Sequence, residues 1–249
     1  MGFWFYFLVI FGILIILLLI FGLPRKKSER VSSIEGIDDP DVAKAFERMT
    51  NFFPFKLLRR KIIKELKKFD PHGMLVDIGC GSGNLLVQIA EQFPTLNLTG
   101  IDISAEILER AKNRASEKGV DNRIQFKIGD ADQLPFPNNS IDFIVSTLSL
   151  HHWETPIQVF EEMMRVLKPD GTFLVFDFRR DARKFFYGLF TFATKVVVPK
   201  PLKKIHEPLG SIRASYTPND IIQMLSQTAF QNVAIIPYLA WMFITNKKF

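Results

Sequence analysis

The sequence holds one cysteine, Cys80, so no disulfide framework can staple this fold. Histidine is nearly as scarce, four in 249 residues, and no His, Cys and carboxylate side chains stand at metal-ligand spacing. No metal is expected. No Ser-His-Asp arrangement is evident, and no segment repeats. Charge is basic overall, 32 Lys and Arg against 26 Asp and Glu, yet no nucleic-acid recognition module accompanies it. Nucleic acid is not an expected partner.

Charge is missing entirely from Phe3 to Leu23. As a helix those roughly 21 residues would be about 31 Å long, enough to cross a bilayer core. Trp4 and Tyr6 stand where an interfacial aromatic belt forms. A cleaved signal peptide is the other reading of such a run. No basic residues precede this one, it is too long, and Gly22-Leu23-Pro24-Arg25 offers no small-x-small cleavage site. The expectation is an uncleaved transmembrane anchor at residues 1–24. Arg25, Lys26, Lys27 and Arg30 follow at once, so the positive-inside rule makes the chain single-pass with its domain in the cytoplasm.

Residues 25–70 read as a polar linker (28–41) and two cap helices. A cap near Asp39 to Asp41 opens a helix to Met49, Phe52-Phe53-Pro54-Phe55 breaks it, and Phe55 to Phe69 is basic and amphipathic. Phe46, Met49, Phe52 and Phe53 are open to a lid role or to plain packing. From Met74 onward, strand and helix patterns alternate, which implies a parallel sheet with right-handed crossovers. Strands are expected at Met74–Val76, Asn97–Asp102, Ile124–Ile128, Ile141–Ser146 and Thr172–Phe178, with helices between. Thr217 at an N-cap and Pro218 at N1 open a helix to Thr228, and Gln231–Pro237 with Ala240–Thr245 form a closing strand pair.

The chain is organised around Val76-Asp77-Ile78-Gly79-Cys80-Gly81-Ser82-Gly83-Asn84, between the first strand and first helix. Glycines let the backbone take positive φ and let a ligand approach it, and the helix N-terminus offers free N–H groups. Asp102, at the tip of the second strand, can accept from both hydroxyls of a ribose. Asn84 stands where a dinucleotide fingerprint wants its third glycine, and Asp77 would repel a pyrophosphate but suit an ammonium. Cys80 lies inside this loop as a small residue filling a turn.

This loop, followed by Gly100-Ile101-Asp102-Ile103-Ser104, resembles the class I S-adenosylmethionine-dependent methyltransferases. The likeness continues through Gly129-Asp130-Ala131-Asp132-Gln133-Leu134-Pro135-Phe136, Ile141-Asp142-Phe143-Ile144-Val145-Ser146 and Leu167-Lys168-Pro169-Asp170-Gly171-Thr172. The wording is most similar to the ubiquinone/menaquinone C-methyltransferase-like branch (methyltransferase type 11 domain). The resemblance implies a Rossmann-like α/β fold at 71–249, a mostly parallel seven-stranded sheet with helices on both faces, interrupted by an insertion at 179–215. It implies S-adenosylmethionine as cofactor, with Asp77, Gly79 and Gly81 at the methionine end, Asp102 on the ribose and Ile103 on adenine. Asp130 and the Ala131 amide would take adenine's amino group and a ring nitrogen, and Ser146 would sit near the ammonium.

Ser149-Leu150-His151-His152-Trp153 follows the fourth strand, where ligands of open parallel sheets lie. His151 and His152 are the candidate catalytic bases; capping or packing is the alternative reading. Residues 185–198 form an apolar aromatic run bracketed by cations. That is the composition of a membrane-interfacial segment and equally of an insertion helix over the active site. The expected acceptor is a hydrophobic or membrane-associated small molecule, quinone-type, isoprenoid or lipid. A soluble metabolite or xenobiotic is one alternative, and a non-catalytic tethered module another.

Overall fold

The computed structural model describes residues 2–33, 39–230 and 233–246. Part of the expected linker (34–38) and the start of the expected strand at Gln231 lie outside them. The strands are β1 (Met74–Ile78), β2 (Asn97–Asp102), β3 (Ile124–Ile128), β4 (Ile141–Thr147), β5 (Leu167–Phe178), β6 (Ala234–Pro237) and β7 (Trp241–Thr245). They form one seven-stranded sheet in the order β3-β2-β1-β4-β5-β7-β6. Only β7 runs antiparallel to its neighbours. This is the mostly parallel sheet that the alternation of patterns implied, in the Rossmann-like arrangement that the resemblance implied.

The helices are α1 (Phe3–Gly22), α2 (Pro40–Thr50), α3 (Phe53–Lys67), α4 (Asn84–Gln92), α5 (Ala105–Glu117), α6 (Pro156–Val166), α7 (Lys184–Phe192), α8 (Lys200–Lys204), α9 (Leu209–Ala214) and α10 (Pro218–Leu225). Strand residues alternate between two cores, because successive side chains leave a strand on opposite faces. Leu75, Phe143, Val145, Leu174 and Phe176 pack with α3, α4 and α5. Val76, Ile144, Phe173 and Val175 pack with α6 and α10. Both faces of the central strands are thus apolar and covered, as parallel sheets require.

Two features frame the site. The first is a cap. Asp39 Oδ1 accepts from the Asp41 N–H at 2.8 Å and starts α2 where a cap was expected. Glu47 on α2 then takes Arg110 and Arg114 of α5 at 3.1 and 2.6 Å, and Asn84 reaches Thr50 Oγ1 at 3.2 Å. Those bonds fasten α2 over the glycine loop. Val42, Ala45 and Met49 pack on Val198 and Leu202 of the insertion.

The second is a strap. Residues 23–33, expected as the end of the anchor and the start of a linker, lie extended against the domain. The Lys184 N–H donates to Pro24 O and the Lys26 N–H to Ala182 O, each at 2.9 Å. Arg183 donates to Leu23 O at 2.8 Å, Arg180 to Ser28 O, and Arg30 Nε to Ala214 O at 2.6 Å. The Arg30 guanidinium lies 4.3 Å from the Tyr216 ring. Much of the 179–184 cation cluster is spent on this strap. α1 precedes it: Trp4–Gly22 has mean hydropathy 3.0 and none of it is buried against the domain.

Candidate active site

The glycine loop turns sharply after β1. Gly79, Gly81 and Gly83 take φ of +70°, +53° and +70°. At Gly79 a Cβ would stand 2.2 Å from Ser149 Oγ, so only glycine fits there. The Cys80 thiol is buried in the same turn, and burial pushes its pKa well up. It is a filler, not a nucleophile.

Asp77 ends β1 beneath this loop, 1% exposed, and its Oδ1 is buried without a hydrogen-bond partner. Burial, and then the neighbouring Asp102 charge, hold its carboxyl well above the ordinary range. A cationic ligand group beside it would favour its charged form. Asp102 ends β2. Its Oδ2 accepts from the Gly81 N–H at 2.8 Å and its Oδ1 from the Ser104 N–H at 3.1 Å. Both oxygens of Asp102 face the loop and the turn that follows β2. The two carboxylates are thus held on either side of one loop, fitting a ligand that is cationic at one end and hydroxylated further along.

A cavity of about 140 Å³ opens beside the loop, measured as the space a water centre can occupy. Gly79, Gly81, Asp102, His151 and His152 line it, and α2, α3 and the insertion supply the opposite wall. Of the expected lid residues, Phe46 and Met49 line the cavity, whereas Phe52 and Phe53 are exposed. Ile103 is 59% exposed beyond Asp102. Asp130 is exposed too, with Ala131 half-buried beside it. Ser146 is fully buried and its hydroxyl donates to Ile78 O at 2.8 Å, which ties β4 to β1.

His151 carries a partner that sequence reading missed. Its Nδ1 lies 2.8 and 3.0 Å from the two oxygens of Asp177, near the end of β5, and its backbone N–H donates to the same carboxylate at 2.9 Å. Both residues are buried. Asp177 sets the tautomer: Nδ1 carries the proton and Nε2 the basic lone pair. His152 is different. Its Nδ1 meets Ser33 Oγ of the strap at 3.1 Å. Burial, then His151 and Arg30, push its pKa down to about 2, so it stays neutral near physiological pH. Arg59 and Glu207 also line the cavity and were not anticipated. Burial and then Arg114 push Arg59 down to about 10, which leaves it charged. The one available signal was for Asp177: an acidic residue within the apolar run Phe173-Leu174-Val175-Phe176-Asp177-Phe178, near the carboxyl end of a parallel strand.

Comparison with known proteins agrees with this geometry. Residues 76–175 match a family model described as a methyltransferase domain. The ubiquinone/menaquinone biosynthesis C-methyltransferase of Geotalea daltonii is 27% identical over 185 residues, which cover 74% of this chain and 77% of that one. A bifunctional biotin biosynthesis protein of Teredinibacter turnerae is 29% identical over 169 residues, 60% of this chain. There the chain spans only 30% of the relative's length. Among solved structures, a plantazolicin methyltransferase in complex with a triazolic desmethylPZN analog and SAH superposes with a TM-score of 0.66 at 17% identity, over 85% of this chain and 93% of that one.

Proposed function

This chain carries an S-adenosylmethionine-dependent methyltransferase domain, and on that premise we propose that it methylates a hydrophobic, membrane-resident molecule with a quinol-type ring. The observation that carries this reading is the buried His151–Asp177 pair on a cavity walled by apolar cap residues. The likeness to the ubiquinone/menaquinone C-methyltransferase of Geotalea supports the same reading. When bound, the cofactor supplies a methyl group made electrophilic by its sulfonium.

Asp77 takes the ammonium of the cofactor's methionine end, while Gly79 and Gly81 let that end approach the backbone. Asp102 accepts the ribose hydroxyls. Ile103 covers the adenine, with Asp130 and the Ala131 amide at its polar edge. Ser146 serves by fixing β4 against β1 through its hydroxyl. His151 removes the proton of a ring hydroxyl, which makes the ring more nucleophilic, and Asp177 stabilises the imidazolium that results. His152 is neutral and orients its neighbour, the two rings lying 4.1 Å apart.

α1 anchors this domain as a single span, with the cations after it on the cytoplasmic side. Beside the anchor, Leu189, Phe192, Val196 and Val197 form an exposed apolar face on α7 and the π-helical turn 193–197. Exposed Lys184, Lys195 and Lys200 surround it. This face rests on anionic headgroups. The test is methyl transfer from labelled cofactor by the full chain, supplied with a total lipid extract and a metabolite extract. Label in ring-hydroxylated lipid is expected. Label confined to aqueous metabolites would mean a soluble acceptor, and none at all despite cofactor binding would mean a binding module.

A further inference from the structure

Glu207 lies between α8 and α9, only 5% exposed, and lines the cavity shared by His151. Ser211 Oγ donates to its Oε2. Oε1 is buried with no hydrogen-bond partner among the described residues. It sits over the bare Cα of Gly210, where a Cβ would come within 3.0 Å of it. A buried carboxyl oxygen left unsatisfied destabilises a fold. Nearby cavity walls are chiefly apolar, Phe46, Met49, Phe55 and Ile205 among them, and cannot satisfy it. A hydroxyl entering the cavity that Glu207 lines would supply that partner.

The chemistry of that ligand follows from the charges around the cavity. Burial raises the Glu207 carboxyl above its usual range, with Ser211 and His151 only partly offsetting this. A carboxyl accepts a hydrogen bond in either protonation state. A cationic acceptor would meet Arg59 on the same cavity, and an anionic one would meet Asp102. A neutral hydroxyl suits all three. We propose that Glu207 is the acceptor-binding residue of this pocket, hydrogen-bonding one hydroxyl of a ring-hydroxylated apolar acceptor while His151 attends to another. The identity of the bound molecule as methyl acceptor rests on the function proposed above; the binding site does not.

The experiment measures equilibrium binding to the full chain in detergent, with SAH present. The probes are naphthohydroquinone, kept reduced, and its dimethyl ether. Wild type is expected to prefer the hydroquinone by at least about tenfold, the scale of one lost hydrogen bond. Glu207→Leu removes about tenfold of that preference, and Glu207→Gln, which both donates and accepts, keeps it within about threefold. SAH affinity is the same in all three. If Glu207→Leu loses SAH binding, Gly210→Ala carries the test, because it crowds Oε1 without removing the carboxyl; a loss of about threefold or more is expected. An unchanged preference in these variants, or no hydroquinone binding by wild type, overturns the assignment. Glu207-dependent binding without any methyl transfer to lipid would uphold this site and sink the acceptor role instead.

Discussion

At the scale of single residues, the buried carboxyl of Asp77 ties stability to ligand binding. Its folded pKa lies above the usual 3.8, so the stability it contributes is full below that value and is lost as pH rises through the folded one. The ligand-free protein should therefore lose stability as pH rises from the acid range toward neutrality, and Asp77→Asn should flatten that slope in thermal melts at stepped pH. The same change removes the partner of a cationic ligand. Calorimetry should find S-adenosylmethionine affinity lowered about 10- to 100-fold. His151→Ala should reduce turnover by about 10²–10⁴-fold with cofactor affinity held, and Asp177→Asn should reproduce most of that loss by reversing the tautomer preference. A fall of less than tenfold in both would leave the pair as packing. That Asp77 and Asp102 end their strands beside the glycine loop was legible in the sequence, because loop and carboxylates are close along the chain. Asp177 and Glu207 were not. Each gains its meaning only when β5 and the segment between α8 and α9 are brought beside the end of β4, and no local pattern encodes that.

At the scale of elements, the helix and strand types were legible wherever apolar periodicity was strong, and the differences have identifiable causes. β5 begins at Leu167, not Thr172, because Leu167 pairs with Ile141 before the register shifts at Phe143. α3 begins at Phe53 because Pro54 occupies a position in its first turn, where a missing N–H costs nothing. The apolar run at 185–198 has an inward face and an outward face. Phe186 and Phe190 pack inward around Tyr187, Leu209 and Ile212, while Leu189 and Phe192 face out. Each outward side chain that enters lipid contributes at most about 1.5–3 kcal/mol. Because Cys80 is buried, a single label can be placed at Val196→Cys. In full chain reconstituted in anionic vesicles, that label should be quenched by brominated acyl chains. Leu189→Glu with Phe192→Glu should restore its emission, while emission insensitive to the brominated lipid from the outset would mean the segment serves only as cap.

At the scale of the whole molecule, the two-core α/β body could be read from the sequence, but its attachment to α1 could not. A polar stretch after an apolar helix looks like a loose tether. Here residues 23–33 bond to backbone and side chains of the insertion and end with Ser33 against His152. Polarity that would equally suit solvent is used up on the domain, and only the fold reveals which. A loosely tethered enzyme samples a hemisphere of solution and meets its acceptor at a bulk concentration. On the proposed anchoring, a strapped one is moored, its pocket held at one height and one heading over the sheet of lipid, so encounters become a two-dimensional search. Its rate should then follow the surface fraction of acceptor and not the amount per volume. Adding inert phospholipid to vesicles at constant total acceptor should slow methyl transfer in proportion to the dilution, whereas adding buffer to the same vesicles should leave the turnover of each enzyme molecule unchanged.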